Sequence, residues 1–119
     1  MDNKTKGALG EKIAKEFLEK NKFKILETNF HYSKLAEIDI IAEKNSVLHF
    51  VEVKTRTSLN FGTPFEAVNK KKISSIYSAG NFYIQNKNKK FNKFQIDIVG
   101  IVLNKNNPPQ ISFLENISI

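Results

Sequence analysis

The spacing of hydrophobic and polar positions changes several times along the chain, and each change predicts a new element. Residues 5–21 carry apolar side chains every three or four positions, which predicts an amphipathic helix. Residues 23–30 alternate in part, as an outer strand does. Two apolar runs follow at 38–42 and 47–53, with the polar segment 43–46 between them, which indicates a β-hairpin.

The second half of the sequence predicts one more helix and two more strands. A capping box at 63–66 marks a helix start, although Asn69 can instead cap a helix that restarts after a kink. Apolar residues continue at helical spacing to Ile84. The runs 94–103 and 110–114 are typical of strands.

The predicted order is therefore helix, three strands, helix and two strands. Strands that follow one another through short turns pair antiparallel, whereas the strand after the second helix can pair in parallel. This order predicts an α/β (α+β) fold, with a mixed sheet of about five strands and helices packed against it. At 119 residues, the chain is expected to form a single domain over 1–119.

Three charged residues interrupt the apolar runs of the hairpin. Asp39, Glu52 and Lys54 lie in segments that otherwise predict buried strands, where an unpaired charge is costly. Alternation places Glu52 and Lys54 on one face. If Ala42 pairs with Val47, Asp39 lies diagonal to Glu52 on that face, roughly 7 Å away. The two carboxylates could then share a divalent cation with Lys54 beside them, whereas a one-residue slip would separate them.

Four other polar residues allow more than one interpretation. On the first helix, Glu11 shares the edge of the apolar stripe, so it either points toward a site or interacts with the helix dipole. Asp97 interrupts the next strand and either binds a lysine or backbone group near the site or contacts a metal directly. His49 lies on the face opposite Glu52, where packing between strand and helix is expected. His31 follows the outer strand, and neither histidine has the spacing of a zinc site.

Charge and composition narrow the functional classes. The net charge of +7 favours a polyanionic partner, although an A/T-rich genome would also enrich Lys and Asn on any surface. Arg56 is the only arginine, and because lysines bind phosphate as point charges, DNA binding should be largely independent of base sequence. The lack of cysteine excludes disulfides and thiolate metal sites. No apolar run reaches about 18 residues and no apolar signal region is present, so a cytoplasmic protein without membrane contact is expected.

The pattern of Asp39, a spacer and then Glu52-Val53-Lys54 resembles the PD-(D/E)xK nuclease motif, which restriction endonucleases and archaeal Holliday-junction resolvases share. More of the chain, from about Gly7 to the C-terminus, resembles the YraN family of small bacterial proteins with a restriction-endonuclease-like fold. The residues that carry this resemblance are Gly10, Glu11, Asn29, Glu37, Ile38, Asp39, 50–54, Arg56, Phe61, Gly62, Lys72 and Asp97. The family usually has Gly or Arg at three positions where this chain differs, Ala36, His31 and Gln95.

The resemblance implies a metal-dependent DNA endonuclease with Mg²⁺ or Mn²⁺ as cofactor. It implies ligand roles for Glu11, Asp39 and Glu52, with the Val53 carbonyl as a further ligand, since hard oxygen atoms suit these ions. Lys54 would orient the attacking water or balance charge on the phosphate. Basic residues that would hold DNA phosphates beside the scissile bond are Arg56, Lys70, Lys72, Lys87, Lys89 and Lys90. Branched DNA as the substrate would favour a two-fold homodimer.

Two other functional classes fit the same residues. A nucleic-acid-binding protein that keeps the fold but does not cut needs only the basic residues, and the presence of Asp39, Glu52 and Lys54 argues against it. A regulatory or protein-interaction subunit would use the acids as internal partners of Lys54, which leaves excess buried negative charge without a cation. Cleavage assays with Mn²⁺ and a Glu52→Gln variant distinguish the three classes.

Overall fold

The mixed sheet and the flanking helices expected from the sequence are present in a computed structural model of the chain. The structure describes residues 2–34, 36–58, 62–86, 91 and 93–117. In chain order the elements are α1 (Asn3–Lys20), β1 (Lys24–Ser33), β2 (Ala36–Lys44), β3 (Val47–Arg56), a 3-10 turn (Phe65–Ala67), α2 (Lys70–Asn86), β4 (Lys93–Val102) and β5 (Gln110–Leu114). The predicted order of helices and strands is confirmed. Within the described ranges, no helix has the length and apolar character needed to cross a membrane.

The five strands lie in the sheet in their order along the chain, from β1 at one edge to β5 at the other. Neighbours pair antiparallel except β3 and β4, which run parallel. The crossover between these two strands contains α2, because a parallel pair cannot be joined by a tight turn. The start of α2 therefore lies near the end of β3, which carries the Glu52-Val53-Lys54 segment.

The turn between β2 and β3 is tighter than the sequence predicted. Asn45-Ser46 has positive φ at both residues, 53° and 66°, which is the geometry of a two-residue hairpin turn. Lys44 therefore pairs with Val47, and the predicted pairing of Ala42 with Val47 is wrong. The observed register differs from the predicted one by two residues, since Ala42 pairs with His49. Because side chains alternate with a period of two, the acidic residues of the two strands still share a face.

The sheet separates two hydrophobic clusters. One face of β3, through Phe50, packs against Ile76 of α2. The other face, through Val51, packs against Ala14 and Leu18 of α1. All five side chains are buried. Each helix therefore covers one face of the sheet, and β3 is buried from both sides.

Two glycines set how closely the helices approach β3. A Cβ on Gly80 of α2 would lie 2.3 Å from the Phe50 ring. A Cβ on Gly10 of α1 would lie 1.8 Å from Thr55 Oγ1. Because neither distance leaves room for a methyl group, only glycine permits these contacts without a shift. The Gly10 contact also brings the next residue, Glu11, to the end of β3.

The second helix begins later than the capping box at 63–66 indicates. The box forms, since the Thr63 N–H donates to Glu66 Oε2 at 3.2 Å and the Glu66 N–H to Thr63 Oγ1 at 3.4 Å. It closes only a 3-10 turn. Helix α2 then starts at Lys70, with Asn69 Oδ1 accepting the Lys72 N–H at 2.9 Å. The alternative cap at Asn69 is therefore confirmed.

Candidate active site

The residues predicted to act in catalysis line a cleft beside the starts of α1 and α2. Its volume is about 390 Å³. Glu11 contributes from α1, Asp39 from β2, and Glu52 and Lys54 from β3. The remaining lining residues are Asn3, Lys6, Gly7, Val53, Thr55, Arg56 and Lys72. The fold thus gathers residues from α1, the β2–β3 hairpin and α2.

The Asp39 and Glu52 carboxyl groups are in direct contact. The pairing of β2 with β3 ends at Ile40↔Val51, and one further step sets Asp39 across from Glu52. The Asp39 carboxyl lies close enough to Glu52 to raise the pKa of Glu52. The Val53 N–H donates to Asp39 Oδ2 at 2.8 Å. Because the N–H and C=O of one strand residue point to the same neighbour in an antiparallel pair, the Val53 carbonyl also lies on the Asp39 side.

Glu52 is the most buried of the three acids in the cleft, with its side chain 4% exposed. Its Oε2 lies 3.4 Å from Lys72 Nζ. Its Oε1 is buried and has no hydrogen-bond partner among the described residues, which is unusual for a carboxylate oxygen. Burial, the hydrogen bond with Asp39 and the Asp39 charge raise the pKa of Glu52 to about 9, and Lys72 opposes this only in part.

The ion pair with Lys72 requires negative charge on the acid, whereas a pKa of about 9 keeps Glu52 protonated at neutral pH. Both conditions hold if the Glu52 proton lies between Glu52 and the neighbouring Asp39 carboxyl. The pair then carries one negative charge, which the Lys72 ammonium balances. Loss of this proton would leave an unbalanced charge in a buried site unless a second cation were bound.

Glu11 points toward the cleft, as one of its two interpretations predicted. Burial raises the pKa of Glu11, followed by the charge of Asp39; a hydrogen bond with the Asn29 side chain lowers it, and Glu37 raises it further. Asn29 lies in β1 with φ of 52°, a left-handed conformation that asparagine adopts more readily than most residues. This backbone distortion accompanies the contact with Glu11, and such distortions are concentrated at functional sites.

The three predicted metal ligands line the same cleft, but their carboxylate oxygens do not converge on one position. In the described ranges, the group of three whose ligand atoms all lie within 4.8 Å of one another is His49, Asp97 and Glu115. Glu11, Asp39 and Glu52 are spaced more widely. A cation held by Asp39 and Glu52 would therefore reach Glu11 through a water molecule or after a side-chain rotation.

The group around Asp97 does not line the cleft. His49 Nδ1 lies 2.6 Å from Asp97 Oδ2, and Asp97 Oδ1 accepts from Gln95 Nε2 at 2.8 Å and from the Asn116 N–H at 2.9 Å. The His49 ring packs edge-on against Phe23, with centroids 4.8 Å apart, on the face opposite Glu52 as predicted. Asp97 does bind a backbone group, but the placement of that contact near the site is wrong, because it fixes the C-terminal segment instead.

The predicted phosphate-binding residues fall into three sets. Arg56 and Lys72 line the cleft. Lys70 is exposed at the start of α2 and does not line it. Arg56 Nε is buried without a hydrogen-bond partner in the described part of the chain. The predicted residues that lie outside the described ranges are Lys87, Lys89 and Lys90, together with Phe61 of the family pattern.

Two polar residues of α1, Asn3 and Lys6, line the cleft although the sequence pattern did not single them out. Asn3, Gly7 and Glu11 follow one another at four-residue spacing and so lie on one side of the helix. That spacing is the signal that could have identified Asn3, and Lys6 is adjacent to Gly7. His31 is exposed and does not line the cleft.

A five-stranded mixed sheet, with a helix on each face and a carboxylate-lined cleft, defines a small α+β protein. The chain belongs to the Uncharacterised protein family UPF0102, whose family model matches residues 10–101. This is the YraN family, so the resemblance found in the sequence is confirmed. The matched range contains the acidic residues of the cleft, Glu11, Asp39 and Glu52.

Three UPF0102 proteins show how far the similarity extends. The protein from Dictyoglomus thermophilum is 47% identical over 105 residues, which cover 88% of each chain. The protein from Flavobacterium johnsoniae is 49% identical over 98 residues, or 80% of this chain and 79% of the relative. The protein from Aliarcobacter butzleri is 40% identical over 117 residues, or 98% of this chain and 99% of the relative. The last alignment extends beyond the residues that the family model matches.

Proposed function

We propose that the protein is a metal-dependent endonuclease that hydrolyses phosphodiester bonds of DNA in this cleft. The observation that carries the proposal is the buried, unpartnered Glu52 Oε1 beside the Asp39 carboxyl. A buried carboxyl pair without enough donors is costly, and a bound divalent cation would stabilise it. Carboxylate and carbonyl oxygens are the ligands that Mg²⁺ and Mn²⁺ prefer.

The donor set of the cleft fits such an ion. Asp39 and Glu52 would hold it, and the Val53 carbonyl lies on the same side of the strand. Glu11 would complete the set, directly or through water. Mg²⁺ usually keeps several water ligands in proteins, so a few protein oxygens are sufficient. When bound, the ion supplies Lewis-acid polarisation of the scissile phosphate.

The basic residues of the cleft would position the phosphate and the attacking water. Among the described residues, the ion pairs do not include Lys54, so its ammonium is available to orient water or to balance charge at the phosphate. Arg56 and Lys6 would contact neighbouring phosphates. Contacts of this kind fix the DNA backbone without reading bases, so cleavage should depend little on sequence. Symmetrical cleavage of branched DNA would need two such clefts, in two copies of the chain.

A non-catalytic DNA-binding role is the second candidate, and one observation favours it. Lys72 already balances the charge of the Asp39–Glu52 pair, and among the described residues Glu11, Asp39 and Glu52 are not a tightly clustered group of three ligands. The fold can therefore keep its acids without a metal. In that case the basic side of the cleft binds DNA and no bond is broken.

Cleavage assays with matched variants separate the two candidates. Wild type should cut linear, flapped or branched DNA with Mn²⁺ or Mg²⁺ but not with EDTA. Glu52→Gln should lower the rate by about 100-fold or more while DNA binding persists, because it removes a metal ligand without adding charge. Glu16→Gln, on the exposed side of α1, is the control and should cut like wild type. DNA binding without cleavage in all three proteins would assign the non-catalytic role, and cleavage retained by Glu52→Gln would place the activity elsewhere.

A further inference from the structure

Lys72 is the counter-ion of the most buried acid in the cleft. Its Nζ lies 3.4 Å from Glu52 Oε2, and its side chain is 38% exposed, whereas that of Glu52 is 4% exposed. The backbone of Lys72 is fixed, because its N–H donates to Asn69 Oδ1 at 2.9 Å in the first turn of α2. The ammonium can therefore leave Glu52 by side-chain rotation alone, without movement of the helix.

A second hollow adjoins the cleft at Lys72. It has a volume of about 360 Å³ and shares Glu52, Lys54 and Lys72 with the cleft. Its remaining lining residues are Ala67, Asn69, Lys71 and Ser75. Three lysines against one acid make the hollow basic, and this balance suits an anionic group such as a phosphate.

We propose that Lys72 is an exchangeable counter-ion. A divalent cation held by Asp39 and Glu52 displaces its ammonium, which then binds a DNA backbone phosphate in the adjoining hollow together with Lys54 and Lys71. This inference rests on the proposed function and adds to it a phosphate subsite beside the metal site. The exchange follows from charge, because an ammonium and a divalent cation on one carboxylate repel each other and compete for it.

The exchange couples the two ligands of the site. A phosphate in the hollow stabilises the displaced ammonium, so bound DNA should strengthen cation binding. By linkage, the bound cation must strengthen DNA binding by the same factor. Lys72 is therefore expected to oppose the cation when DNA is absent and to support DNA binding when the cation is present.

The first measurement is Mn²⁺ affinity by titration calorimetry without DNA, at constant pH and ionic strength. Lys72→Met should bind Mn²⁺ about tenfold more tightly than wild type, because the competing ammonium is gone. Lys70→Met is the matched control, since Lys70 is exposed at the same helix start and lines neither hollow. It should keep the wild-type affinity. Lys72→Arg retains a cation and should also stay close to wild type.

The second measurement is the affinity for a short DNA duplex, with Ca²⁺ and with EDTA. Wild type should bind more tightly with Ca²⁺. Lys72→Met and Lys71→Met should each reduce this Ca²⁺-dependent gain in affinity by about fivefold or more. Lys105→Met, which removes an exposed lysine between β4 and β5, should keep the gain. Unchanged far-UV circular dichroism of each variant shows that the fold is intact.

Each result bears on the exchange. Equal or weaker Mn²⁺ binding by Lys72→Met overturns it, even if wild type still cleaves DNA with Mn²⁺ and the proposed function stands. Lys72→Arg that behaves like Lys72→Met overturns it as well, because the charge would then not be the cause. Absence of Mn²⁺ binding in all variants, together with absence of Mn²⁺-dependent cleavage, removes the exchange and the proposed function at once.

Discussion

Glu52 lies on a strand that is buried from both sides, and its carboxyl meets a second carboxyl and a single ammonium. Such an arrangement costs folding free energy that an apolar side chain of similar size would not. The features that would suit the pair to the proposed divalent cation therefore reduce the stability of the protein without one. This connection between stability and chemistry can be measured through the raised pKa of Glu52.

Glu52→Gln should remove a pH dependence of stability. The pKa of Glu52 is about 9 in the folded protein, against an ordinary value of 4.5, because of burial and Asp39. Between these values the folded state binds more protons than the unfolded state. The contribution of Glu52 to the free energy of unfolding should therefore be greatest below about pH 4.5. It should fall as the pH rises toward about 9. Glutamine cannot lose a proton, so the variant should lose less stability over this range.

Urea unfolding at pH 5, 6.5 and 8 measures this difference. One pKa unit between the folded and unfolded states corresponds to about 1.4 kcal/mol. From pH 5 to pH 8, the free energy of unfolding of Glu52→Gln should therefore rise by at least about 1.4 kcal/mol relative to that of wild type. Glu16→Gln, which is exposed on α1, should follow wild type at every pH. If wild type and Glu52→Gln lose stability in parallel, Glu52 is ionised in the folded protein at neutral pH.

Single residues of the site were predictable where their chemistry conflicts with their surroundings. Asp39 and Glu52 were identified because a carboxylate inside an apolar run is visible without knowledge of the fold. Lys72 was placed only by resemblance, because its distance from Glu52 depends on how the crossover returns α2 to the sheet. Lys54 was predicted to lie beside the acids, and it does line the cleft, but the ion pair with Glu52 comes from Lys72.

At the level of elements, the position of α1 decides whether Glu11 belongs to the site. The helix crosses the end of β3 at Gly10, where no side chain separates it from Thr55. The same contact keeps Glu11 close enough to Asp39 for their charges to interact. A larger residue at this crossing would move the helix and the glutamate together.

Gly10→Ala should therefore destabilise the protein by about 1–3 kcal/mol, because an inserted methyl group forces packed elements apart. Its Cβ would lie 1.8 Å from Thr55 Oγ1, whereas a Cβ on Gly7 of the same helix would meet nothing within 4 Å. Gly7→Ala should accordingly stabilise by up to about 1 kcal/mol, since alanine favours helix. Thermal and urea unfolding of both variants test the pair, and equal effects would show that α1 does not press on β3 at Gly10.

Elements were predicted better than their registers, and the reason is physical. Side chains alternate between the two faces of a strand, so a register shift of two residues leaves each side chain on the same face. Asp39 and Glu52 were therefore placed on one face correctly although the predicted pairing was wrong. The turn depends on left-handed φ values at Asn45-Ser46, which serine does not signal. In the parallel pair of β3 and β4, Asp97 lies beside Val51. Because the long crossover that contains α2 joins these strands, no local sequence pattern determines their register. The pairing of Asp97 with His49 was therefore outside the reach of the sequence.

For the molecule as a whole, the net charge of +7 has two possible causes, a polyanionic partner or a lysine-rich composition. The fold adds the fact that some of this charge faces the acidic cleft. Its basic lining residues are Lys6, Lys54, Arg56 and Lys72. Under the proposed function, these cations would attract a phosphate backbone while the acids hold the metal, which a merely basic surface would not do.

Salt dependence tests whether the cleft, rather than the net charge, binds DNA. Each phosphate neutralised should contribute a slope of about −0.9 to a plot of log affinity against log salt. Lys6→Met removes a cation that lines the cleft, so it should weaken binding to all sequences alike and make the slope shallower by about one. Lys105→Met removes the same charge from an exposed position between β4 and β5, and it should leave the slope unchanged. Equal changes in the two variants would mean that DNA responds only to the total charge, and the cleft would then have no special part in binding.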